Sequence, residues 1–201
     1  MTGLRERKKE KTRDALVASA MRQFARRGFD HVTVEEIAAS CEVSPRTFFR
    51  YFASKEDVLF ADSDARCERL LEALAEQEAS TSPFQALEAA VTLLVPDYAE
   101  QRELLRSRHS IVTTTPSLRT RAAERQQGWE TNIIQQLRSS GRARDLSDFD
   151  LQLLVAGTTT ALRVAVEAWI AADGSDDLSD LLGHAFQRLR AGLDTPSTRQ
   201  R

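Results

Sequence analysis

Residues 33–59 read TVEEIAASCEVSPRTFFRYFASKEDVL, and their punctuation decides the fold. Thr33 followed three residues later by Glu36 is a capping box, with Val32 placed to staple onto Ile37, so a helix opens at Thr33 and runs to about Ser40. After the three-residue turn Cys41-Glu42-Val43, Ser44 caps a further helix. Pro45 takes its favoured first position, and Val43 staples onto Phe48, giving a helix from Pro45 to Phe52. Ser54 with Asp57 repeats the signal and launches a long helix through Val58, Leu59, Leu70, Leu71 and Leu74 to about Gln77. Two short helices joined by so short a turn have the dimensions of a helix-turn-helix, over about residues 32–51. Short capped helix pairs also occur in helical proteins of other kinds.

Working outward, Leu16, Val17, Ala20, Met21 and Phe24 recur at steps of three and four, predicting an amphipathic helix from about 12 to 27 that Gly28 stops. Downstream, Ser82-Pro83 opens a helix ending near Pro96, another runs from about Tyr98 to Val112, and Thr115-Pro116 starts a longer one ending before Gly141. Ser147 opens a helix over about 148–172, and Ser175 opens the last, over about 176–191. No strand-like alternation interrupts these, so the expected fold is all-α, with nine or so helices in two packed groups.

Composition agrees with that reading and narrows the function. Of 201 residues, 41% are hydrophobic and 29% charged, a globular balance with room for a substantial core. There is no run of about 18 uninterrupted apolar residues and no apolar core in the opening MTGLRERKKEKTR, which predicts a cytoplasmic protein with no membrane partner. Cys41 and Cys67 lack both CxxC spacing and a disulfide-rich pattern, so they are expected as small buried hydrophobes, without structural zinc. His31, His109 and His184 are scattered and no HExxH, GxSxG or Walker-type loop occurs, so neither catalysis nor a cofactor is expected. Residues 1–55 hold 12 Lys/Arg against 7 Asp/Glu, whereas the remainder holds 16 against 23. A basic end on an acidic body fits either a nucleic-acid footprint or a solvated surface.

The run Thr33-Val-Glu-Glu-Ile37-Ala38, followed by Val43 to Leu59 with its aromatic cluster, its Ser54-Lys55 step and the acid after it, resembles the TetR DNA-binding domain over about residues 9–69. The resemblance implies a DNA-binding transcription regulator, most simply a repressor released from a palindromic operator by a small-molecule effector. It implies a three-helix helix-turn-helix domain over 9–69, a larger helical ligand-binding and dimerisation domain over 70–193, and a flexible tail over 194–201. Homodimerisation is expected through the last two helices, with Ala156, Gly157, Ala161, Ala165, Ala168 and Ala172 facing Leu178, Leu181, Leu182, Ala185, Phe186 and Leu189; an ordinary intramolecular core accounts for the same pattern.

Physical chemistry gives the matched positions their expected roles. Thr33 at a helix start suits a phosphate contact besides its cap. Ser44, Pro45, Arg46 and Thr47 form the first turn of the reading helix; Arg46 can grip guanine O6 and N7 or a phosphate, and Thr47 a thymine methyl or a phosphate. Arg50 and Tyr51 are expected near the DNA backbone, and Lys55 matches a phosphate-contacting position. Phe48 and Phe52 are expected in the core against Leu16, Phe24 and Ile37. The arm bearing Arg5, Arg7, Lys8, Lys9, Lys11 and Arg13 can add phosphate contacts or remain a solvated tail.

Two residues depart from the family pattern: Phe49 replaces a usual Tyr, removing one phosphate hydrogen bond, and Glu42 replaces a usual turn Gly. A left-handed Glu42 would cost roughly 1–2 kcal/mol, so a reshaped turn is one outcome. For the effector, Tyr98, Leu105, Trp129, Ile133 and Trp169 are candidate pocket residues, each equally readable as core. The segments around Trp129 and Trp169 resemble a TetR subgroup with an acyl-CoA-like ligand domain. Arg163 in its apolar run either meets an anionic ligand group or pairs with Glu167 on the surface.

Overall fold

A computed structural model describes residues 3–78, 81–172 and 176–192. Among them are eleven helices and no strand. The chain forms two compact units, one built from residues up to Arg66 together with Glu103–Ala123, the other from Cys67–Arg102 and residues from Glu124 onward.

In the first unit, α1 (Leu4–Arg27), α2 (Val34–Ser40), α3 (Pro45–Phe49) and α4 (Lys55–Leu59) surround one apolar cluster. Leu16, Ala20 and Phe24 meet Ile37 and Ala38, and Phe48, Phe52, Val58 and Leu59 close it. Two longer helices, α8 (Arg102–Thr114) and α9 (Pro116–Ser139), add Ile111 and Leu118 to the same cluster. That contribution has no counterpart in the expected 9–69 boundary, because an apolar stripe announces that it will be buried but not which neighbour buries it.

Several boundaries differ from the expected ones for identifiable reasons. Helix α1 begins at Leu4 rather than near residue 12. Its first two turns are mostly Glu, Lys and Arg, which carry no apolar period but extend an existing helix readily. The long helix expected from residue 55 is broken at Phe60 (φ −109°, ψ 14°), where α4 ends and α5 (Ala61–Ala75) begins. Phe60 is buried in the first unit's cluster, and no Gly or Pro marks the break. The helix expected from Tyr98 is likewise two, α7 (Val95–Glu100) and α8, separated at Gln101. Pro96 lies in the first turn of α7, where a missing N–H costs nothing, so it helps start a helix instead of ending one.

The second unit contains α6 (Pro83–Thr92), α7, α10 (Asp148–Ala171) and α11 (Leu178–Ala191), with α10 and α11 packed most extensively on each other. Leu151, Val155, Ala161, Leu162, Ala165 and Trp169 of α10, with Leu178, Leu182 and Phe186 of α11, are buried inside it. Length and composition alone would let α10 cross a membrane; its buried side chains give its apolarity another use, a core helix. Ser175, expected to cap α11, and the expected tail at 194–201 lie outside the described residues. The cap observed is Asp177, which accepts from the Ser179 N–H at 2.6 Å.

Candidate nucleic-acid interface

The start of α2 is fixed by the reciprocal pair read from the sequence. Thr33 Oγ1 accepts from the Glu36 N–H at 3.2 Å, and Glu36 Oε2 accepts from the Thr33 N–H at 2.9 Å. The second oxygen of Glu36 takes Arg27 Nη1 at 2.8 Å. These partners, the Thr33 N–H first and Arg27 next, hold the Glu36 carboxyl below its ordinary value of 4.5.

The turn into α3 keeps the geometry of a glycine cap although glycine is absent. Val43 N–H bonds to the Ala38 carbonyl and Glu42 N–H to the Ala39 carbonyl, both at 3.1 Å, the paired bonds of a Schellman motif. That motif requires a left-handed residue between helix and exit, and Glu42 supplies it at φ 55°, the one non-glycine residue with positive φ among those described. The turn is therefore strained in place and not reshaped.

Ser44 Oγ accepts from the Thr47 N–H at 3.1 Å, capping α3, and Pro45 follows at its first position. With Phe48 fully buried, the opposite face of this short helix turns outward. Arg46 and Arg50 are exposed there, and Phe49 stands 53% exposed, its ring edge-on to Phe48 at 5.5 Å. Among the described residues the Arg46 side chain makes no hydrogen bond or ion pair. Arg50 lies over the Tyr51 ring, 5.2 Å from its centre, with Nη2 3.5 Å from the phenol oxygen. Thr33, Ser44 and Pro45 are also exposed, whereas Thr47 and Tyr51 are half-buried. An exposed first turn bearing a fork donor, a hydroxyl and an apolar ring suits base edges in a major groove.

Lys55 stands at the start of α4, as expected, and its half-buried ammonium donates to the carbonyls of Phe29 at 3.0 Å and Val32 at 3.1 Å. Arg7, Lys8, Lys9 and Lys11 are exposed on the first turns of α1, while Arg13 is bound to Ala61 and Asp62; the side chain of Arg5 lies outside the described residues. Of the thiols, Cys67 is buried and Cys41 half-buried.

The expected pocket residues divide between the units. Leu105 is buried in the first, whereas Tyr98, Ile133 and Trp169 are buried and Trp129 half-buried in the second. Arg163 takes the surface alternative, pairing with Glu167 at 3.0 Å one turn along α10. Beside the expected pocket aromatic Trp169 lies Arg102, 4.8 Å from the centre of its ring and bonded to the Trp169 carbonyl at 3.1 Å.

The outward face of α10 escaped sequence reading. Phe149 is 72%, Leu153 62% and Val164 48% exposed. Ala161, Ala165, Leu182 and Phe186, expected at a dimer contact, are buried within the unit. A helix with apolar residues on more than one side hides which stripe faces inward, although Phe149, Leu153 and Val164 do share one helical face.

Residues 16–61 match the bacterial regulatory proteins of the tetR family, and residues 81–194 match the MftR C-terminal domain. The chain is 30% identical over 179 residues to MftR of Mycobacterium tuberculosis, a regulator assigned by name to mycofactocin biosynthesis, covering 87% of each protein. It is 48% identical over 88 residues to the HTH-type transcriptional regulator TcmR of Streptomyces glaucescens, spanning 44% of this chain but only 39% of that relative. Among solved structures, the TetR family repressor FadR of Thermus thermophilus, crystallised with lauroyl-CoA, superposes with a TM-score of 0.58 at 24% identity, over 94% of this chain and 98% of that one.

Proposed function

The chain belongs to the TetR family of transcription regulators, and we propose that it is a homodimeric repressor held on a two-fold symmetric operator by α3 until a small-molecule effector releases it. The exposed face of α3 carries this reading. Arg46 forks onto guanine, Thr47 and Phe49 meet thymine methyls, and Thr33, Ser44, Arg50 and Tyr51 set the helix on phosphates. Pro45 stiffens the first turn that approaches the bases. Operator binding places the protein in the cytoplasm.

The outward face of α10 supports dimerisation, since Phe149, Leu153 and Val164 lie exposed on one side of the helix. A second copy laid on α10 and α11 would cover it and present two identical reading helices.

The effector we propose is mainly apolar, a fatty-acyl thioester being the leading example, taken up by the second unit near Tyr98, Trp129, Ile133 and Trp169. FadR of Thermus thermophilus, which shares this fold, was crystallised with such a thioester. Because Arg163 is already paired with Glu167, an anionic ligand group would have to find another cation, Arg102 beside Trp169 being the nearest in kind. The effector must prefer the DNA-incompetent conformation, and the loss of operator affinity cannot exceed that preference. Titrating the complex of protein and upstream DNA with lauroyl-CoA, lauric acid and a neutral hydrophobic drug tests this. Release by lauroyl-CoA is expected; release by the drug alone would point to a drug-efflux regulator.

A further inference from the structure

The turn between α1 and α2 is held by two cations. From α4, the Lys55 ammonium donates to Phe29 and Val32 carbonyls at 3.0 and 3.1 Å and sits 4.3 Å from the centre of the Phe29 ring. From α1, Arg27 donates Nη2 to the His31 carbonyl at 2.7 Å and Nη1 to Glu36 at 2.8 Å. On its other side the turn borders an open cleft of about 580 Å³, with Gly28, Asp30 and His31 on the wall. Packing restrains the apolar residues of the turn, Phe29 and Val32 being buried in the first unit's cluster, while the two cations hold its backbone carbonyls. Gly28 itself sits at φ 81°, ψ 151°, a region open in practice only to glycine, so the turn begins at a residue with no side chain to anchor it. An ammonium has three N–H donors; two here are committed to carbonyls, and the charge faces an aromatic ring.

Resting on the DNA-binding reading above, we infer that Lys55 is a positioning residue of the reading unit: it fixes the α1–α2 turn, and thereby the placement of α2 and α3 on α1, instead of neutralising a backbone phosphate. The chain runs directly from the gripped Val32 into Thr33, the cap of α2, so a displacement of the turn is passed to α2 without an intervening joint. The Schellman turn at Glu42 then passes it to α3.

Salt dependence separates the two roles. Removing one phosphate contact lowers the slope of log K against log salt by about 0.9, whereas loosening the turn lowers operator affinity and leaves nonspecific, phosphate-driven binding with its slope intact. A merely structural lysine would lower the melting temperature without changing the affinity of the folded protein. The test uses the full chain well below its melting temperature, with operator and random duplex over a salt series. Lys55→Met keeps the stem on Phe29 but has no donor, and Lys55→Arg restores donors. The expected result for Lys55→Met is a loss of about tenfold or more on operator, comparable to one base contact. Its slope on random duplex should be unchanged, and Lys55→Arg should recover part of the loss. Arg27→Gln, which frees the same turn from the α1 side, should lose operator affinity in the same manner, and it carries the test if Lys55→Met does not fold. A slope on random duplex shallower by about 0.9, or operator affinity unchanged in folded Lys55→Met, would overturn the inference. A wild-type protein that binds no duplex at all would remove its premise, an outcome the wild-type control keeps distinct from a failure of Lys55 alone.

Discussion

Glu42 holds φ 55° because the two hydrogen bonds of its turn demand a left-handed residue there, and a side-chain-bearing residue pays roughly 1–2 kcal/mol for that conformation. Glycine would remove the penalty but would also add freedom to the unfolded chain, worth about 0.4–1 kcal/mol in the opposite direction. Glu42→Gly should therefore raise stability by a net of about 0.5–1 kcal/mol in urea unfolding; a net loss would show that the Glu42 side chain contributes something the backbone account omits. Arg46 works at the same scale. Its side chain has no partner among the described residues, so Arg46→Ala should leave stability unchanged within about 0.5 kcal/mol. It should weaken operator binding by roughly 1–3 kcal/mol while scarcely altering binding to random duplex at equal salt. Equal losses on both DNAs would reduce Arg46 to a phosphate contact.

At the scale of the element, the start of α2 depends on a carboxylate whose proton affinity is depressed by the Thr33 N–H and by Arg27. A carboxyl with a folded value below its unfolded one stabilises fully above the unfolded value, and that stabilisation is lost as pH falls through the folded value. The difference in urea midpoint between wild type and Glu36→Gln should thus be largest near neutrality and shrink progressively below pH 4.5; a difference independent of pH would mean that the ionised form has no special role. Elements with local signals of this kind were legible in the sequence: Thr33/Glu36, Ser44/Pro45, Ser54/Asp57 and Ser147 each mark a helix start that the structure has. Legibility failed where the cause is tertiary. The break at Phe60, a residue buried in the first unit, has no Gly or Pro to mark it, and α8 and α9 supply Ile111 and Leu118 to a cluster with nothing local to announce it. For the site, the exposed residues of α3 followed from the capping pattern and the resemblance, whereas the Lys55 hydrogen bonds to a turn some two dozen residues earlier have no sequence signal.

The whole molecule is proposed to act as a pair, and its outward apolar face on α10 makes that testable without touching the core. Leu153 is 62% exposed in one chain, so Leu153→Asp should keep the melting behaviour of an isolated subunit while shifting sedimentation from dimer to monomer. A variant still wholly dimeric would place the interface elsewhere. Only a dimer can read an operator as two related half-sites, with their centres about one helical turn, roughly 34–36 Å, or a multiple of it apart. The most direct measurement is therefore a footprint of the purified protein on the DNA upstream of its own gene, with Arg46→Ala beside the wild type. The account predicts a two-fold symmetric protected site that wild type occupies and Arg46→Ala loses while random duplex is bound equally by both. A single asymmetric half-site, or a symmetric footprint that Arg46→Ala leaves intact, would contradict it.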